Sequence, residues 1–469
     1  MGPDVNRTGA TLFARHALLA DGWRRDVLLA WDAAGDLVRV EPDAAAAAAA
    51  AEGAMQAEYV LPGMINLHSH AFQRALGGLT ERAGGSGNGA PDSFWTWREL
   101  MYRFAKRITP GQMEAVAAQL YVECLRHGYT AVCEFHYLHR DPDGAPYADP
   151  AEMARRIVAA AQAAGIGLTL LPVMYAYAGF GEVPLKPEQR RFRSDPALVL
   201  RIAEALEPLR GPQLEIGAAP HSLRAVSIAQ LKALAQALPA GRPLHIHIAE
   251  QALEVRQCLD ATGRRPVEWL LDQADIGARW CLVHATHLSD GEVVALARSG
   301  AVAGLCPTTE ANLGDGLFPL APYTAAGGRF GIGSDSHVSQ SPVEELRWLE
   351  YGQRLLHQRR NVAVNAGQRD VAAFLWQQAL LGGAQASGRR LGVLAPGRRA
   401  DLLVLDSDHP NLDGAAPEDV LGRFLFCGND NLVRDVLAGG RWTVRNGRHP
   451  AQDAIAARYK TALRQLREA

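Results

Sequence analysis

The amino-acid sequence predicts an α/β fold, a (β/α)8 barrel of the TIM type with a second, smaller β-sandwich domain built from both termini. Within the 469 residues, eight apolar strand-like runs alternate with amphipathic helices. Polar side chains follow nearly every run. A closed barrel gathers such strand ends at one mouth, whereas an open doubly wound sheet would not explain them. Shorter alternating patterns lie at both ends of the chain.

The patterns at the two ends predict the smaller domain. Residues 11–40 alternate apolar and polar side chains around a Gly-Asp turn, which is typical of a small antiparallel sheet. Strand and turn patterns return near the end of the chain, and a charged helix closes it. We therefore expect residues 1–60 and 390–469 to form the β-sandwich and residues 61–389 to form the barrel.

Two low-complexity segments receive no function from the sequence. Residues 44–51 are eight consecutive alanines, which fit either a short exposed helix or a loop. Residues 77–89 are rich in glycine and predict a flexible loop over the mouth of the barrel.

The central region repeats one order of signals, helix start, helix stop and strand. Thr109-Pro110-Gly111-Gln112 is a capping box with proline at the first helical position, and Gly128 ends that helix. After the opening run at residues 60–70, the strands are expected at residues 129–135, 166–174, 214–218, 244–249, 280–285, 301–306 and 329–333.

The opening run ends in a pair of histidines. Residues 61–67 are mostly apolar, and His68 and His70 follow, separated only by Ser69. Side chains two apart on a strand point to the same face, so the two imidazoles lie side by side. Imidazole suits zinc, and a catalytic zinc needs about three protein ligands and a water.

Two further strand ends supply the missing ligands. His247 ends the fifth strand and Asp335 follows the eighth. Together with His68 and His70 they form a three-imidazole, one-carboxylate shell, which predicts one divalent ion, with zinc expected. Such an ion lowers the pKa of its bound water toward about 7 and makes hydroxide available. A two-metal site would need a bridging ligand such as a modified lysine, and none of the four lysines follows a predicted strand.

Three residues near this shell are candidates for moving protons and stabilising charge. Asp335 can accept the proton of the attacking water, and Glu250, three residues after His247, can carry a proton to the leaving group. His284 ends the sixth strand and can hydrogen-bond the attacking water or the developing tetrahedral centre. His245 lies deeper on the fifth strand, where a packed or hydrogen-bonded histidine is expected.

Composition narrows the class of protein. The net charge of −2 does not favour nucleic-acid binding, and no apolar run reaches the roughly 18 residues that a membrane-spanning helix needs. The start of the chain lacks a basic region followed by an apolar stretch. None of the six cysteines forms a Cys-x-x-Cys pair, which indicates a reducing compartment without structural disulfides. We expect a cytoplasmic protein.

These motifs resemble the amidohydrolase superfamily. The resemblance rests on Pro62-Gly63, His68-Ser69-His70, His247-Ile248-Ala249-Glu250, His284-Ala285-Thr286-His287 and Gly333-Ser334-Asp335, with a late turn at residues 396–401. The glutamate after the fifth-strand histidine is similar to the deaminase branch. The resemblance implies a metal-dependent hydrolase that binds zinc and forms a homodimer.

Further motifs resemble the deaminases that convert N-formimino-L-glutamate to N-formyl-L-glutamate and ammonia in histidine breakdown. They are the stretches at residues 68–74, 92–98, 134–137 and 219–224. This substrate carries two carboxylates, and Arg98 and Arg224 can clamp them. Gln73, Tyr137 and His221 are candidates for holding its remaining polar atoms.

Two alternatives stay open at this point. The first is another deaminase of the same branch, acting on guanine, a pterin or a triazine. Those rings are flat and mostly uncharged, so they would not use two carboxylate-binding arginines. The second is a non-catalytic barrel that serves as an interaction scaffold, although every ligand and proton-carrier position of the family is filled here.

Overall fold

A computed structural model of the chain describes residues 10–45, 55–81 and 92–468. Most of the alanine run at 44–51 and most of the glycine-rich segment at 77–89 lie outside these residues. The strands, numbered in chain order, are β1 (Ala10–Leu19), β2 (Gly22–Trp31), β3 (Leu37–Glu41), β4 (Met55–Pro62), β5 (Met64–Ser69), β6 (Tyr129–His136), β7 (Gly167–Met174), β8 (Leu214–Ile216), β9 (Ala219–Pro220), β10 (Leu244–Ile248), β11 (Trp280–His284), β12 (Val302–Leu305), β13 (Arg329–Ile332), β14 (Leu402–Leu405), β15 (Val433–Ala438) and β16 (Arg441–Val444).

The two ends of the chain share one seven-stranded sheet, in the order β16-β15-β14-β4-β1-β2-β3. Strands β1 to β3 form an antiparallel meander, as the alternation at residues 11–40 predicts. The late strand β14 joins it by pairing antiparallel with β4, so that Val404 lies opposite Val60. Apolar side chains from both ends fill a separate small core on this sheet, including Leu12, Val27 and Leu437.

Eight parallel strands form the barrel, and seven of them agree with the predicted runs to within two residues. The eighth, β5, covers only the second part of the predicted opening run at 60–70, because residues 60–62 belong to β4 of the terminal sheet. One ladder contains β5-β6-β7-β8 and the other contains β10-β11-β12-β13. A bridge between Ala218 and Leu244 joins the ladders on one side, and a bridge between Ser69 and Asp335 closes them on the other. Strand β6 is buried at every position, as expected for a parallel strand covered on both faces. The predicted α/β barrel with a smaller terminal β unit is confirmed.

Helices cover the outside of the barrel and begin where the sequence signals place them. Thr109 accepts a hydrogen bond from the Gln112 backbone N–H, and the Gln112 side chain accepts one from the Thr109 N–H, completing the predicted capping box. The helices are α1 (Phe94–Ala105), α2 (Pro110–Arg126), α3 (Glu152–Ala164), α4 (Pro196–Leu206), α5 (Ile228–Ala237), α6 (Ala252–Thr262), α7 (Pro266–Gln273), α8 (Asp290–Ser299), α9 (Pro307–Leu313), α10 (Leu320–Ala325), α11 (Pro342–His357), α12 (Val371–Ser387), α13 (Pro417–Phe426) and α14 (Gln452–Glu468).

Helix α12 packs unusually close to the last barrel strand. A Cβ atom at Gly382 would collide with the Phe330 carbonyl, and one at Gly331 would lie 2.8 Å from the Gly383 nitrogen. Glycine is therefore required at this contact, which holds β13 against the helix behind it. None of the helices within the described ranges combines the length and apolar character needed to cross a bilayer.

Candidate active site

Four predicted metal ligands converge where the barrel strands end. His68 and His70 come from β5, His247 from β10 and Asp335 from the turn after β13. The His68 Nε2 atom lies 3.1 Å from His70 Nε2 and 3.0 Å from His247 Nε2. The Asp335 Oδ1 atom lies 3.3 Å from His70 Nε2 and 3.5 Å from His68 Nε2. All four side chains are buried, and their ligand atoms all lie within 4.8 Å of one another.

The backbone fixes which ring nitrogens face the centre. The Nδ1 atom of His70 lies 2.9 Å from the Phe135 carbonyl oxygen, and that of His247 lies 3.0 Å from the His221 carbonyl oxygen. A carbonyl oxygen only accepts, so both Nδ1 atoms carry the hydrogen and both Nε2 atoms present lone pairs to the shared point.

These groups fit a divalent cation. Burial lowers the pKa of His68 to about 3 and also lowers the pKa values of His70 and His247, so the rings are neutral. Burial alone would raise the pKa of Asp335, but the surrounding imidazoles hold it well below its usual range. The three imidazoles and the carboxylate converge on one point, where a divalent cation would be stabilised by all four groups.

Glu250 and His284 lie beside this shell. His284 Nε2 is 3.7 Å from Glu250 Oε1 and 3.9 Å from Asp335 Oδ2. Its ring stacks on that of His247, with 5.4 Å between centroids. Burial raises the pKa of Glu250 to about 7, although His284 acts in the opposite direction. A carboxyl group with this pKa can both give and take a proton near neutral pH.

Two acidic residues that the sequence analysis did not select complete the surroundings of His284. The Oε1 atom of Glu310, on α9, lies 3.3 Å from His284 Nδ1 and accepts a hydrogen bond from the Cys306 backbone N–H. Burial lowers the pKa of His284, but Glu250, Glu310 and Asp335 outweigh it and raise that pKa to about 10. Asp315 accepts a hydrogen bond from Gln251, and burial raises its pKa to about 9.

The signal for Glu310 was present in the sequence. It follows the end of β12 by five residues, at the same barrel mouth as the other strand ends. Asp315 lies farther along, after α9, and no strand-end rule would have selected it. His245, by contrast, is buried with its Nε2 atom 2.8 Å from the Ala386 carbonyl oxygen, as expected for a hydrogen-bonded barrel histidine.

A pocket opens from the metal ligands, and the three predicted polar substrate residues line it. Gln73 lies on a 3-10 helix (Ala71–Leu76) directly after His70, and its side-chain amide donates to the Tyr137 hydroxyl at 3.0 Å. The Tyr137 ring contacts those of His70 and His221 at centroid distances of 5.1 and 5.8 Å. The Gln73 carbonyl oxygen is buried and has no partner among the described residues.

Two guanidinium groups also line this pocket. The Arg98 guanidinium lies over the Trp95 ring at 4.4 Å from its centroid, and that of Arg224 at 5.8 Å. Arg224 is 7% exposed, and its only ion pair within residues 10–45, 55–81 and 92–468 is a 4.0 Å approach to Glu254. Neither arginine donates a hydrogen bond to any residue that the structure describes. The pocket therefore combines two features. Its two arginine cations lack hydrogen-bond acceptors among the described residues, and it opens onto the four buried metal-ligand candidates.

The chain is similar to known proteins over nearly its whole length. Residues 59–443 match the family model of the amidohydrolase family, and residues 10–54 match that of the N-terminal domain of formimidoylglutamate deiminase HutF. A formimidoylglutamate deiminase of Pseudomonas aeruginosa is 53% identical over 97% of this chain and 99% of its own. An 8-oxoguanine deaminase of the same organism is 29% identical, with 87% of each chain covered.

A solved structure supports the amidohydrolase family. The crystal structure of an amidohydrolase from Brucella melitensis superposes with a TM-score of 0.91 and is 46% identical, covering 97% of this chain and 99% of that one. The chain therefore belongs to the amidohydrolase family and, within it, to the formimidoylglutamate deiminases.

Proposed function

We propose that this protein hydrolyses N-formimino-L-glutamate to N-formyl-L-glutamate and ammonia, a step of histidine degradation, and that it uses one zinc ion. The observation that carries the proposal is that two guanidinium groups, neither of which donates a hydrogen bond within the described chain, share one pocket with the three-imidazole, one-carboxylate shell. An amidine substrate with two carboxylates needs cations that bind the carboxylates and a metal site that supports hydrolysis. The 53% identity to a formimidoylglutamate deiminase over nearly the whole chain supports the same substrate.

His68, His70, His247 and Asp335 would hold the metal ion. A divalent ion at this position lowers the pKa of a bound water and makes it a nucleophile near neutral pH. The second ring nitrogens of His70 and His247 face backbone carbonyl oxygens, which keeps both rings in the orientation that a ligand needs.

The neighbouring side chains would move the protons. Asp335 is ionised and accepts the proton of the water that attacks the formimino carbon. Glu250 in its protonated form would donate a proton to the imino nitrogen as water adds to the formimino carbon. The proton taken by Asp335 would then pass to the resulting amino group while the hydroxyl of the adduct returns a proton to Glu250, so that the C–N bond breaks and ammonia leaves. His284, whose pKa is raised by the neighbouring acidic groups, would hydrogen-bond the oxygen of the tetrahedral adduct.

The pocket walls would orient the substrate. Arg98 and Arg224 bind the two carboxylates by charge-assisted hydrogen bonds, which they do not make within the described chain. Gln73 and Tyr137 face the same space and can hold the formimino N–H groups, and His221 lies beside them. Guanine, pterins and triazines offer no carboxylate, so the buried Arg224 and the half-buried Arg98 in one pocket argue against those substrates.

The assay that tests the proposal is ammonia release by the purified protein. We expect turnover of N-formimino-L-glutamate and no comparable turnover of guanine, and elemental analysis should find about one zinc per chain. Guanine preferred over the formimino acid would overturn the substrate. A protein that neither contains zinc nor is activated by it would favour the scaffold alternative.

We also propose that the enzyme acts in the cytoplasm as a homodimer. All six cysteines are free, and five are buried, which suits a reducing compartment. Sedimentation at several concentrations tests the assembly, and a single species with the mass of one 50.5 kDa chain would contradict it.

A further inference from the structure

The barrel closes at a seam that divides the metal ligands. Strands β13 and β5 share no continuous ladder and are joined by one isolated bridge, between Ser69 and Asp335. Two backbone hydrogen bonds cross there, from the Asp335 N–H to the His68 carbonyl at 3.0 Å and from the His70 N–H to the Asp335 carbonyl at 3.3 Å. His68 and His70 thus lie on one side of the seam and Asp335 on the other.

A chain of buried side-chain hydrogen bonds also crosses the seam. Asn66 Nδ2 donates to Ser334 Oγ at 2.6 Å, and Ser334 Oγ lies 3.0 Å from His337 Nδ1. His337 Nε2 lies 3.2 Å from Ser69 Oγ, which donates to Glu134 Oε2 at 2.6 Å. Each of the five side chains is at most 1% exposed, so water does not compete for these bonds.

The direction of each hydrogen bond in this network is set by its end members, the donor Asn66 and the acceptor Glu134. The Ser69 hydroxyl hydrogen is used on Glu134, so His337 Nε2 must carry a hydrogen and donate it to Ser69. The His337 Nδ1 atom then accepts from the Ser334 hydroxyl, whose oxygen accepts from Asn66. The imidazole is therefore a neutral link that donates on one side of the seam and accepts on the other.

The turn that carries Asp335 needs such support. Asp335 and His337 have φ angles of 44° and 64°, in the left-handed region that non-glycine residues rarely adopt. Such conformations persist where surrounding contacts hold them. The strands also approach closely, because a Cβ atom at Gly333 would lie 2.8 Å from the His68 nitrogen.

We propose that His337 is a positioning residue for the metal site. By bridging Ser69 and Ser334, its imidazole fixes the distance between Asp335 and the two histidines of β5, which lie on opposite sides of the seam. The proposal rests on the metal site of the proposed function. It assigns a role to a histidine that does not itself face the shared point of the four ligands.

The test compares two variants of His337 with a matched control. His337→Leu removes both hydrogen bonds, and His337→Gln keeps an N–H near the position of Nε2. His449→Gln is the control, because His449 is also buried and its Nε2 atom bonds a backbone carbonyl, that of Ala164, at 2.9 Å. The readouts are the zinc dissociation constant, from chelator competition, and the thermal midpoint of the zinc-free protein.

We expect His337→Leu to weaken zinc binding about 10- to 100-fold, as loss of an outer-shell partner typically does. His337→Gln should recover part of that loss, and His449→Gln should bind zinc like the wild type whatever its thermal midpoint. Zinc affinity of His337→Leu equal to that of the wild type would overturn the inference. If His337→Leu does not fold, Ser334→Ala decides the question by the same measurement, with weakened zinc binding supporting the link and unchanged binding rejecting it.

A wild-type protein without zinc affinity would be a different outcome. It would reject the proposed metal site, and with it this inference, whereas a zinc-binding wild type with unaffected variants rejects only the role of His337.

Discussion

Glu250 is the residue whose protonation the proposed reaction depends on. Burial raises its pKa to about 7, with His284 acting against that rise. The protonated form donates, so its fraction is high below this pKa and falls as the pH rises through it. We expect kcat/KM for N-formimino-L-glutamate to decline above about pH 7.

A pair of variants checks that the decline belongs to Glu250. Glu250→Gln keeps the size of the side chain but cannot transfer the proton, so kcat should fall by roughly 10²- to 10⁴-fold. Glu188→Gln, at an exposed position, should keep the wild-type profile. A wild-type kcat/KM that stays constant to pH 9 would contradict the assignment.

The two arginines can be separated by substrates that lack one carboxylate. Arg224→Met should remove a charge-assisted hydrogen bond, about 1.5–3 kcal/mol, and lower kcat/KM by roughly 10- to 150-fold. N-formimino-4-aminobutyrate lacks the α-carboxylate. With this substrate, replacing the arginine that binds the α-carboxylate should therefore change kcat/KM very little.

Steady-state kinetics of Arg98→Met and Arg224→Met with both substrates therefore assign each arginine to one carboxylate. Arg256→Met is the control, because Arg256 is exposed and should leave both substrates unaffected. If each pocket variant lowers kcat/KM by the same factor for both substrates, neither arginine is specific for one carboxylate.

At the scale of elements, helix α1 brings an arginine to the pocket through its own first turn. Ser93 and Thr96 form a capping box at its start, and Trp95 and Arg98, three apart, lie on one face. The Trp95 ring lies near both Arg98 and Arg224. We therefore expect the Trp95 ring to help hold the two cations in place.

Replacing this ring should weaken substrate binding more than catalysis. A cation–π contact at such a site contributes about 0.5–2 kcal/mol, so loss of the closer one, to Arg98, in Trp95→Ala should raise KM roughly 2- to 30-fold with a smaller change in kcat. Trp95→Phe should recover part of the loss. Trp348→Ala, at a tryptophan 45% exposed on α11, serves as control. An unchanged KM in Trp95→Ala would reject the role.

At the scale of the whole molecule, the sequence predicted the features that follow from hydrophobic periodicity and from the residues at strand ends. The eight barrel strands and the convergence of His68, His247 and Asp335 follow from the alternation of strands and helices, because parallel strand ends must meet when the barrel closes. Asp315 could not be predicted, since it reaches the site from a loop after α9. The hydrogen-bond network across the seam could not be predicted either. No sequence pattern distinguishes Ser69 and Ser334, and only the fold brings them beside His337.

Metal binding should connect the site to the stability of the whole chain. A ligand that binds only the folded state stabilises it by RT ln(1 + [L]/Kd), about 2.7 kcal/mol at 100 times Kd. The four proposed ligands come from β5, β10 and the turn after β13, so a bound ion would tie both ladders of the barrel together. We expect removal of zinc by a chelator to abolish ammonia release and to lower the thermal midpoint by several degrees.

Scanning calorimetry with and without added zinc measures this shift. Zinc should restore both the midpoint and the activity of the wild type, because the ligand set is buried and already oriented by backbone carbonyls. Asp335→Ala is the matched control: it keeps the three histidines but loses the carboxylate, so zinc should raise its midpoint much less. An equal rise in the variant and the wild type would mean that the ion binds elsewhere on the chain.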